Sequence, residues 1–311
     1  MVDGLSCKSV INVNAELLEK IFIKKHTLAV TSSADIYLGF WNDRSVVVKR
    51  FRENCLHLAR KELSIIAHIE HENIIKLIAA GPALPHSLSF LVLEYAECQS
   101  LQKVLYDFPE VHYNLLHVLI WTLQISRASD YLHRLCSPPI VHADIKPSNI
   151  LGFDKLRHVK LADFASSRTV PYNEPSIYGT LCYMAPELWT VRTGEDVPYS
   201  GKSDVYSLMI TFWEFLARQP PYEVLKRRDV SDKFWSSITE RPPLLDGCPE
   251  LLNSILQSGW SVDPGLRPTM LQLSQCLECI IKKLFPVDIT SQGIDIPDHY
   301  FDFSKCNLLN T

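Results

Sequence analysis

Two acidic segments in the middle of the chain carry side chains whose types and spacing suit metal-assisted chemistry. Asp144 is followed five residues later by Asn149, and Asp163 lies fourteen residues beyond Asn149. An aspartate and an asparagine at this spacing suit a loop in which the carboxylate accepts a proton from a hydroxyl group and the amide oxygen binds a metal ion. Asp163 offers a second carboxylate to the same ion. We therefore predict that Asp144 orients a nucleophile and that Asn149 and Asp163 bind Mg²⁺.

A lysine and a glutamate nearer the N-terminus complete the set. Lys49 ends the apolar strand pattern of residues 46–48, where its ammonium group could bind the α- and β-phosphates of a nucleotide. Glu62, on the helix that follows, could pair with Lys49 and position it. A lysine at a strand end or a glutamate on a helix, considered alone, is usually solvated. However, chance rarely places Lys49, Glu62, the Asp144–Asn149 pair and Asp163 in this order and at this spacing.

The elements that must position these side chains change in character along the chain. Residues 28–51 and 88–95 show the apolar, β-branched pattern of strands. Residues 55–69 carry apolar side chains at helical spacing. Beyond residue 100 the pattern favours long helices, at about residues 114–135 and 204–216. The sequence therefore predicts an α+β fold, with a small sheet-rich N-terminal part that contains one helix and a larger, mainly helical C-terminal part.

The change in character near residues 94–100 sets the predicted domain organisation. After Pro286 the periodicity is lost, and we expect a loosely packed or disordered tail at about residues 288–311. The predicted parts are an N-terminal extension at 1–20, a main domain at 21–286 that divides into 21–95 and 96–286, and a C-terminal tail at 287–311.

Composition excludes some classes of function. The 311 residues are 47% hydrophobic and 21% charged, with a net charge of −4. No broad basic surface is implied, so we do not expect nucleic acid to be the principal partner. The strongest apolar run, residues 115–123, is too short to span a bilayer, and the N-terminus has no signal-peptide pattern. We expect a cytoplasmic protein without a transmembrane segment.

The cysteines agree with a reducing compartment, since there are nine of them, scattered over the chain. Cys276 and Cys279 form a C-x-x-C pair within a helical pattern. Because no second Cys or His pair accompanies them, we interpret them as core or boundary residues rather than metal ligands.

The segment 142–149, His-Ala-Asp-Ile-Lys-Pro-Ser-Asn, resembles the catalytic loop of the protein kinase superfamily, and the resemblance covers about residues 25–285. It implies a bilobal protein kinase fold, with an antiparallel sheet and one helix in the N-lobe and a larger, mainly helical C-lobe. It also implies an ion pair between Glu187 and Arg267, and a role for Asp204 in bracing the catalytic loop. Further motifs that carry the resemblance are Asp-Phe-Ala at 163–165, Met-Ala-Pro-Glu at 184–187, Asp-Val-Tyr-Ser at 204–207 and Asp-Pro-Gly-Leu-Arg-Pro-Thr at 263–269.

The acceptor class is indicated by Lys146, two residues after Asp144, and by Gly179-Thr180. Both features resemble serine/threonine kinases, in which the lysine stabilises the transferring phosphoryl group and the threonine bridges the aspartate and the lysine. A closer similarity is to the group of the transforming-growth-factor-β-activated kinase, a MAP kinase kinase kinase. This similarity is carried by Trp41, by residues 71–77 and 93–97, and by Lys-Leu-Phe-Pro at 283–286.

The nucleotide site implied by the resemblance departs from the family pattern at its glycine-rich loop. The three glycine positions hold Ala29, Thr31 and Ala34. If all three required a positive φ, the strain would reach about 3 kcal/mol. Asp35 would repel phosphate if it pointed inward. The ATP-binding residues that the resemblance implies are Ala29, Thr31, Ala34, Ile36, Val47, Lys49, Glu94 and Ala96.

Three other positions also depart from the pattern. Ala143 replaces the arginine that gathers a phosphorylated activation loop, so we expect activity to depend little on such a switch. Ala165 replaces a glycine and should restrict flipping of Phe164, while Val47 is larger than the usual alanine. Every side chain assigned to chemistry is nevertheless retained.

Two hypotheses follow. The first is an ATP-dependent serine/threonine kinase of a MAP kinase kinase kinase-like cascade, with protein substrates and cascade adaptors as partners. The intact side chains favour it, although no heptad run supports adaptor binding through a coiled coil. The alternative is a pseudokinase or scaffold with little phosphotransfer, which the glycine-free loop favours. A small-molecule phosphotransferase is disfavoured, since Ala-Pro-Glu and Gly-Thr belong to a protein-substrate groove.

Overall fold

The chain forms two units, each with its own core. The computed structural model describes residues 11–12, 22–84, 87–170, 179–188, 199–222, 241–285, 288–290 and 293–295. The first unit comprises Met1–Ala96 together with Asp163–Ala165, and the second comprises Glu97–Ala162 and Ser166–Thr311. The α+β class predicted from the sequence is confirmed, and the domain boundaries given above stay predictions.

The first unit is built on a six-stranded sheet with the strand order β1-β5-β6-β4-β3-β2. Neighbouring strands are antiparallel except for β1 and β5, which are parallel. Its core includes Trp41, Val48 and Val92. The strands are β1 (Ile11–Asn12), β2 (Phe22–Val30), β3 (Ala34–Trp41), β4 (Arg44–Phe51), β5 (Leu77–Leu84) and β6 (Ser87–Glu94), and helix α1 (Leu56–Ile66) follows β4.

Helix α1 is shorter than the predicted span of residues 55–69. It ends at Ile66, and the His68 N–H then donates to the Ile65 carbonyl, a tighter bond than an α-helix makes. Ile69 is half-buried beyond the helix end. The apolar period therefore continues past the helix, which explains the overestimate.

The second unit is mainly helical, as the sequence predicts. Helices α3 and α4 are buried along most of their length. Few of their residues are charged, and their apolar side chains are not confined to one stripe. Within the described part of the chain, no helix is long and apolar enough to cross a membrane. The helices are α2 (Leu101–Tyr106), α3 (Leu115–Asp130), α4 (Gly201–Ala217), α5 (Glu250–Gly259) and α6 (Met270–Leu284).

Short strand pairs complete the second unit. The pairs are β7 (Ile140–Val141) with β10 (Arg168–Thr169), β8 (Ile150–Phe153) with β9 (His158–Leu161), and β11 (Asp288–Thr290) with β12 (Gly293–Asp295). The first two pairs flank the segments that carry the predicted catalytic residues. The third pair lies in the tail predicted to be loosely packed, so part of that tail is ordered. Pro286 and the rest of the tail lie outside the described residues, as do residues 1–10 and 13–20.

A buried histidine on α3 makes the stability of the protein depend on pH. Burial lowers the pKa of His117 from 6.5 to about 4. Because unfolding restores the ordinary value, the unfolded chain binds the extra proton between these two pH values. We expect the free energy of unfolding to fall by about 3 kcal/mol as the pH drops from 6.5 to 4. Urea unfolding at a series of pH values measures this.

The matched variant is His117→Gln, because glutamine keeps the capping box that His117 forms with Asn114 while removing the titration. It should flatten the pH profile over this window. The same change at the exposed His57 should leave the profile as it is. A profile that stays steep in His117→Gln would show that another group is responsible.

Candidate active site

Lys49, Glu62 and Asp163 come together in the first unit. The Lys49 ammonium lies on β4 and donates to both carboxylate oxygens of Glu62 on α1, at 2.8 and 3.0 Å. It also donates to the Asp163 Oδ1 atom at 2.7 Å. Lys49 and Glu62 are 4% and 1% exposed. They therefore form a buried ion pair, whereas each residue considered alone would be expected to be solvated.

The electrostatics of this cluster keep the ammonium charged. Burial by itself would lower the pKa of Lys49, but the Glu62 and Asp163 carboxylates outweigh it and hold that pKa above its ordinary value. Burial raises the pKa of the Glu62 carboxyl, and the Lys49 charge opposes that shift. A charged ammonium bridging two carboxylates therefore fixes the position of Asp163 relative to α1.

The loop that carries Asp144 is held by hydrogen bonds from its main chain to Asp204. The N–H groups of His142 and Ala143 donate to the two carboxylate oxygens of Asp204, each at 2.9 Å. Asp204 is fully buried, and His133 lies 2.8 Å from one of its oxygens. Burial alone would raise the pKa of Asp204, but the hydrogen bond with His133 and the charges of His133 and His142 hold it below its ordinary value. This geometry agrees with the bracing role implied by the resemblance.

The Asp144 carboxylate is surrounded by three polar residues, Thr180, Asn149 and Lys146. Its Oδ1 atom accepts from the Thr180 N–H and hydroxyl, both at 3.0 Å. Its Oδ2 atom accepts from the Asn149 amide at 2.9 Å and lies 2.8 Å from the Lys146 ammonium. Lys146 also donates to the Thr180 hydroxyl at 2.5 Å. The structure thus brings the four residues together in the second unit, with Thr180 bridging Asp144 and Lys146.

The oxygen atoms of Asn149 and Asp163 have the chemistry that Mg²⁺ requires. The Asn149 amide nitrogen donates twice to Asp144, at 2.8 and 2.9 Å, which leaves the amide oxygen as its metal-binding atom. The Asp163 side chain is 39% exposed. Carboxylate and amide oxygens suit Mg²⁺, which usually takes only one or two protein ligands. In the described part of the chain, no cluster of three or more His, Cys, Asp or Glu residues could hold a metal.

The two cysteines of the C-x-x-C pair lie on α6. Cys276 is half-buried and Cys279 is exposed. Burial raises the pKa of Cys276, which disfavours the thiolate that a metal needs.

The loop that lacks glycines is closed by its own side chains. We call residues 31–34 the Thr31 turn. The Thr31 hydroxyl accepts from the N–H groups of Ala34 and Ser33, at 3.0 and 3.4 Å, and donates to the Ala34 carbonyl at 2.9 Å. The Thr31 N–H also donates to the Ala34 carbonyl. Three main-chain N–H groups of the turn are therefore used within it.

The strain expected at the three glycine positions is absent. Ala29, Thr31 and Ala34 do not have positive φ values, so the conditional cost of about 3 kcal/mol does not arise. The hydroxyl of Thr31 shapes the turn instead. Asp35, which was expected to repel phosphate if it pointed inward, forms an ion pair with Arg52 at 3.2 Å.

The other residues assigned to ATP binding lie on or beside the sheet. Ile36 and Lys49 are cross-strand partners, as are Val47 and Leu93. The Glu94 carboxylate accepts from the Lys76 N–H at 2.7 Å. Ala96 is buried and is the last residue of the N-terminal segment of the first unit. Their roles toward ATP stay predictions.

An ion pair anchors the segment that follows Thr180. Arg267 is 1% exposed and forms two parallel bonds of 2.7 Å with the Glu187 carboxylate, in agreement with the pair that the resemblance implies. Sequence reasoning missed Glu214, whose oxygens accept from the hydroxyls of Tyr106 and Tyr183 at 2.5 and 2.7 Å. The available signal was a carboxylate within the mostly apolar residues 208–217 of α4, because a buried charge needs partners.

The family assignment rests on the comparison with known sequences. The protein kinase domain family matches residues 31–277, which span both the Lys49 cluster and the Asp144 loop. The chain belongs to the protein kinase family. The predicted kinase fold is therefore confirmed. The five antiparallel strands β2–β6 of the first unit, with helix α1, correspond to the small lobe of that fold.

Individual relatives narrow the similarity. The kinase is 30% identical over 266 residues to a putative mitogen-activated protein kinase kinase kinase 7-like protein of Drosophila melanogaster. It is 30% identical over 244 residues to mitogen-activated protein kinase kinase kinase 7 of the same organism, and 28% over 271 residues to that of Homo sapiens. These alignments cover 83%, 78% and 86% of this kinase but 66%, 35% and 42% of the relatives. The predicted resemblance to this group is confirmed.

Proposed function

We propose that the protein is a serine/threonine kinase that transfers the γ-phosphate of ATP to hydroxyl groups of proteins. The observation that carries the proposal is the buried Lys49 ammonium, held between Glu62 and Asp163. Burying these charges costs desolvation free energy, which suggests a functional role. An ammonium group fixed in this way can bind the α- and β-phosphates. Asp144 orients the acceptor hydroxyl and takes its proton, and Lys146 neutralises charge on the transferring group.

We further propose that Asn149 and Asp163 supply oxygen ligands to Mg²⁺. When bound, the metal neutralises the charge that develops on the phosphates. The hydrogen bonds between Asn149 and Asp144 support this role, because they fix the amide so that its oxygen is the atom left for a cation.

The finer assignment follows the relatives. Lys146 and Thr180 support serine and threonine as acceptors, and the printed names of the relatives support a place in a MAP kinase kinase kinase-like cascade. We propose protein substrates of that cascade, adaptor proteins as further partners and a cytoplasmic location. The chain spans 66% or less of the relatives discussed above, so the functions of their remaining parts are not transferred.

A second candidate function is a pseudokinase that binds partners, with or without nucleotide, and transfers little phosphate. The Thr31 turn supports it, because the N–H groups of Thr31, Ser33 and Ala34 are bonded within the turn rather than offered to phosphates. The retained Lys49 cluster and the Asp144 loop favour the active enzyme.

Transfer of labelled phosphate from Mg-ATP by the purified protein separates the two. We expect label on a general protein substrate, recovered as phosphoserine and phosphothreonine after acid hydrolysis, and none from Asp163→Asn. Label on tyrosine would contradict the acceptor class. No transfer above the Asp163→Asn background would favour the pseudokinase.

A substitution of Gly179 tests the bridge made by Thr180. Gly179 has a φ of +115°, and a Cβ atom there would lie 2.7 Å from the Ala143 carbonyl oxygen. Gly179→Ala should displace Thr180 from Asp144 and lower kcat about ten- to a hundredfold, given 1–3 kcal/mol of strain. Steady-state kinetics measure this.

The matched control is Gly247→Ala. Gly247 also has a positive φ, of +74°, but nothing lies within 4 Å of a Cβ atom added there. This variant should lose a little stability and keep its transfer rate. Equal rates in the two variants would show that Thr180 does not act through its position beside Asp144.

A further inference from the structure

We propose that Arg52 is a positioning residue for ATP in this kinase, which holds the Thr31 turn closed and neutralises Asp35. The inference rests on the proposed function, since it assumes that the turn faces the nucleotide phosphates. In the family pattern glycines let phosphate approach the main chain. Here the Thr31 hydroxyl closes the turn from within, and Arg52 holds it from outside.

The contacts of Arg52 reach three positions of the hairpin between β2 and β3. Its N–H donates to the Ser33 carbonyl at 3.0 Å. Its guanidinium group donates to the Ser32 carbonyl at 2.9 Å and to the Asp35 carboxylate at 3.2 Å. Arg52 directly follows β4, the strand that ends beyond Lys49. One residue thus ties the turn to the strand that carries the predicted phosphate-binding lysine.

With the Thr31 turn in place of a glycine-rich loop, phosphate binding depends more on the charges of nearby side chains. The N–H groups of Thr31, Ser33 and Ala34 are all bonded within the turn. Phosphate therefore gains little from these donors and depends more on the electrostatic potential around it. Asp35 would make that potential unfavourable, and Arg52 removes the effect by pairing with it.

A purely structural role for Arg52 predicts a different outcome. Arg52 and Asp35 are 41% and 34% exposed, and exposed ion pairs contribute little to folding. If the pair acts on nucleotide binding, its loss changes the Kd and KM for ATP and leaves kcat nearly constant. If it acts only on folding, the thermal unfolding midpoint changes and the affinity of the folded protein does not.

The test is a set of variants measured in two ways, by the Kd for Mg-ATP in calorimetry and by the KM and kcat of phosphoryl transfer. Arg52→Ala should raise the Kd and KM about fivefold, because Asp35 is then unpaired. Arg52→Lys should recover part of this loss, since it restores the charge without the fork of donors. Arg52→Ala combined with Asp35→Asn should recover more than half of it on a logarithmic scale.

Arg44→Ala is the matched control, because Arg44 is exposed at the other end of β4 and should leave the Kd unchanged. An unchanged Kd in Arg52→Ala, a loss that Asp35→Asn does not relieve, or a wild-type protein that does not bind Mg-ATP would each overturn the inference. Binding that responds to Arg52 in a protein without transfer would uphold the inference and contradict the proposed activity. Phosphoryl transfer that does not change in the Arg52 variants would support the proposed activity and contradict the inference about Arg52.

Discussion

Replacing Asp163 by asparagine should abolish phosphoryl transfer, with kcat/KM lowered by about a thousandfold or more. The change removes a negative charge from the group that accepts a bond from Lys49 at 2.7 Å and that we propose as a Mg²⁺ ligand. Asparagine has the same size and tolerates the φ of +65° that Asp163 adopts. The loss should therefore come from the missing charge rather than from the backbone. Labelled transfer and Mg-ATP binding measure it together.

The control for this substitution is Asp43→Asn. Asp43 is exposed, lies in the same unit and also has a positive φ, of +59°. It should keep wild-type transfer. Residual transfer in Asp163→Asn within tenfold of wild type would contradict the assigned role, and equal losses in both variants would indicate a general effect of the change.

Replacing Lys49 by methionine should abolish transfer and also destabilise the protein by about 3–5 kcal/mol. Glu62 is 1% exposed, and without the ammonium its charge would be buried and uncompensated. The protein should regain stability at low pH, because protonation of Glu62 then removes that charge. Urea unfolding at two pH values and labelled transfer measure the two effects.

The double variant Lys49→Met with Glu62→Leu separates stability from activity. It should recover most of the lost stability, since an apolar pair can replace a buried ion pair, and it should remain inactive. Lys76→Met, at an exposed lysine of the same unit, should change neither quantity. A Lys49→Met variant as stable as wild type would show that Glu62 is not held by this pair.

The sequence predicted the long helices and the central strands because their periodicity is local. Residues 115–130 and 201–217 contain long runs rich in apolar residues with few charges, and β4 and β6 have dense β-branched or apolar runs. Strand β5 was missed, since Gly81 and Pro82 interrupt its pattern. Strand β1 has only two residues and pairs with β5 far along the chain, so nothing in its own sequence marks it.

The candidate site was predictable where spacing within one segment sets the geometry, as it does for Asp144 and Asn149. It was not predictable where distant residues meet. The pairing of Arg52 with Asp35 spans seventeen residues, and that of Glu214 with Tyr106 spans 108. The condition for strain at Ala29, Thr31 and Ala34, a positive φ, is not met. The residue types alone could not decide this, because the shape of the turn depends on a side-chain hydrogen bond of Thr31.

The hydrogen bonds to Asp204 hold the shape of the catalytic loop independently of the side chain at position 143, where the family pattern has a regulatory arginine. The atoms that Asp204 binds are main-chain N–H groups of His142 and Ala143, and every residue except proline has such a group. The bonds to Asp204 therefore do not depend on the side chain at position 143, although the φ of +64° at Ala143 disfavours β-branched residues there. An arginine can be exchanged there for alanine, at the cost of its phosphate-sensing guanidinium, while the loop keeps its shape.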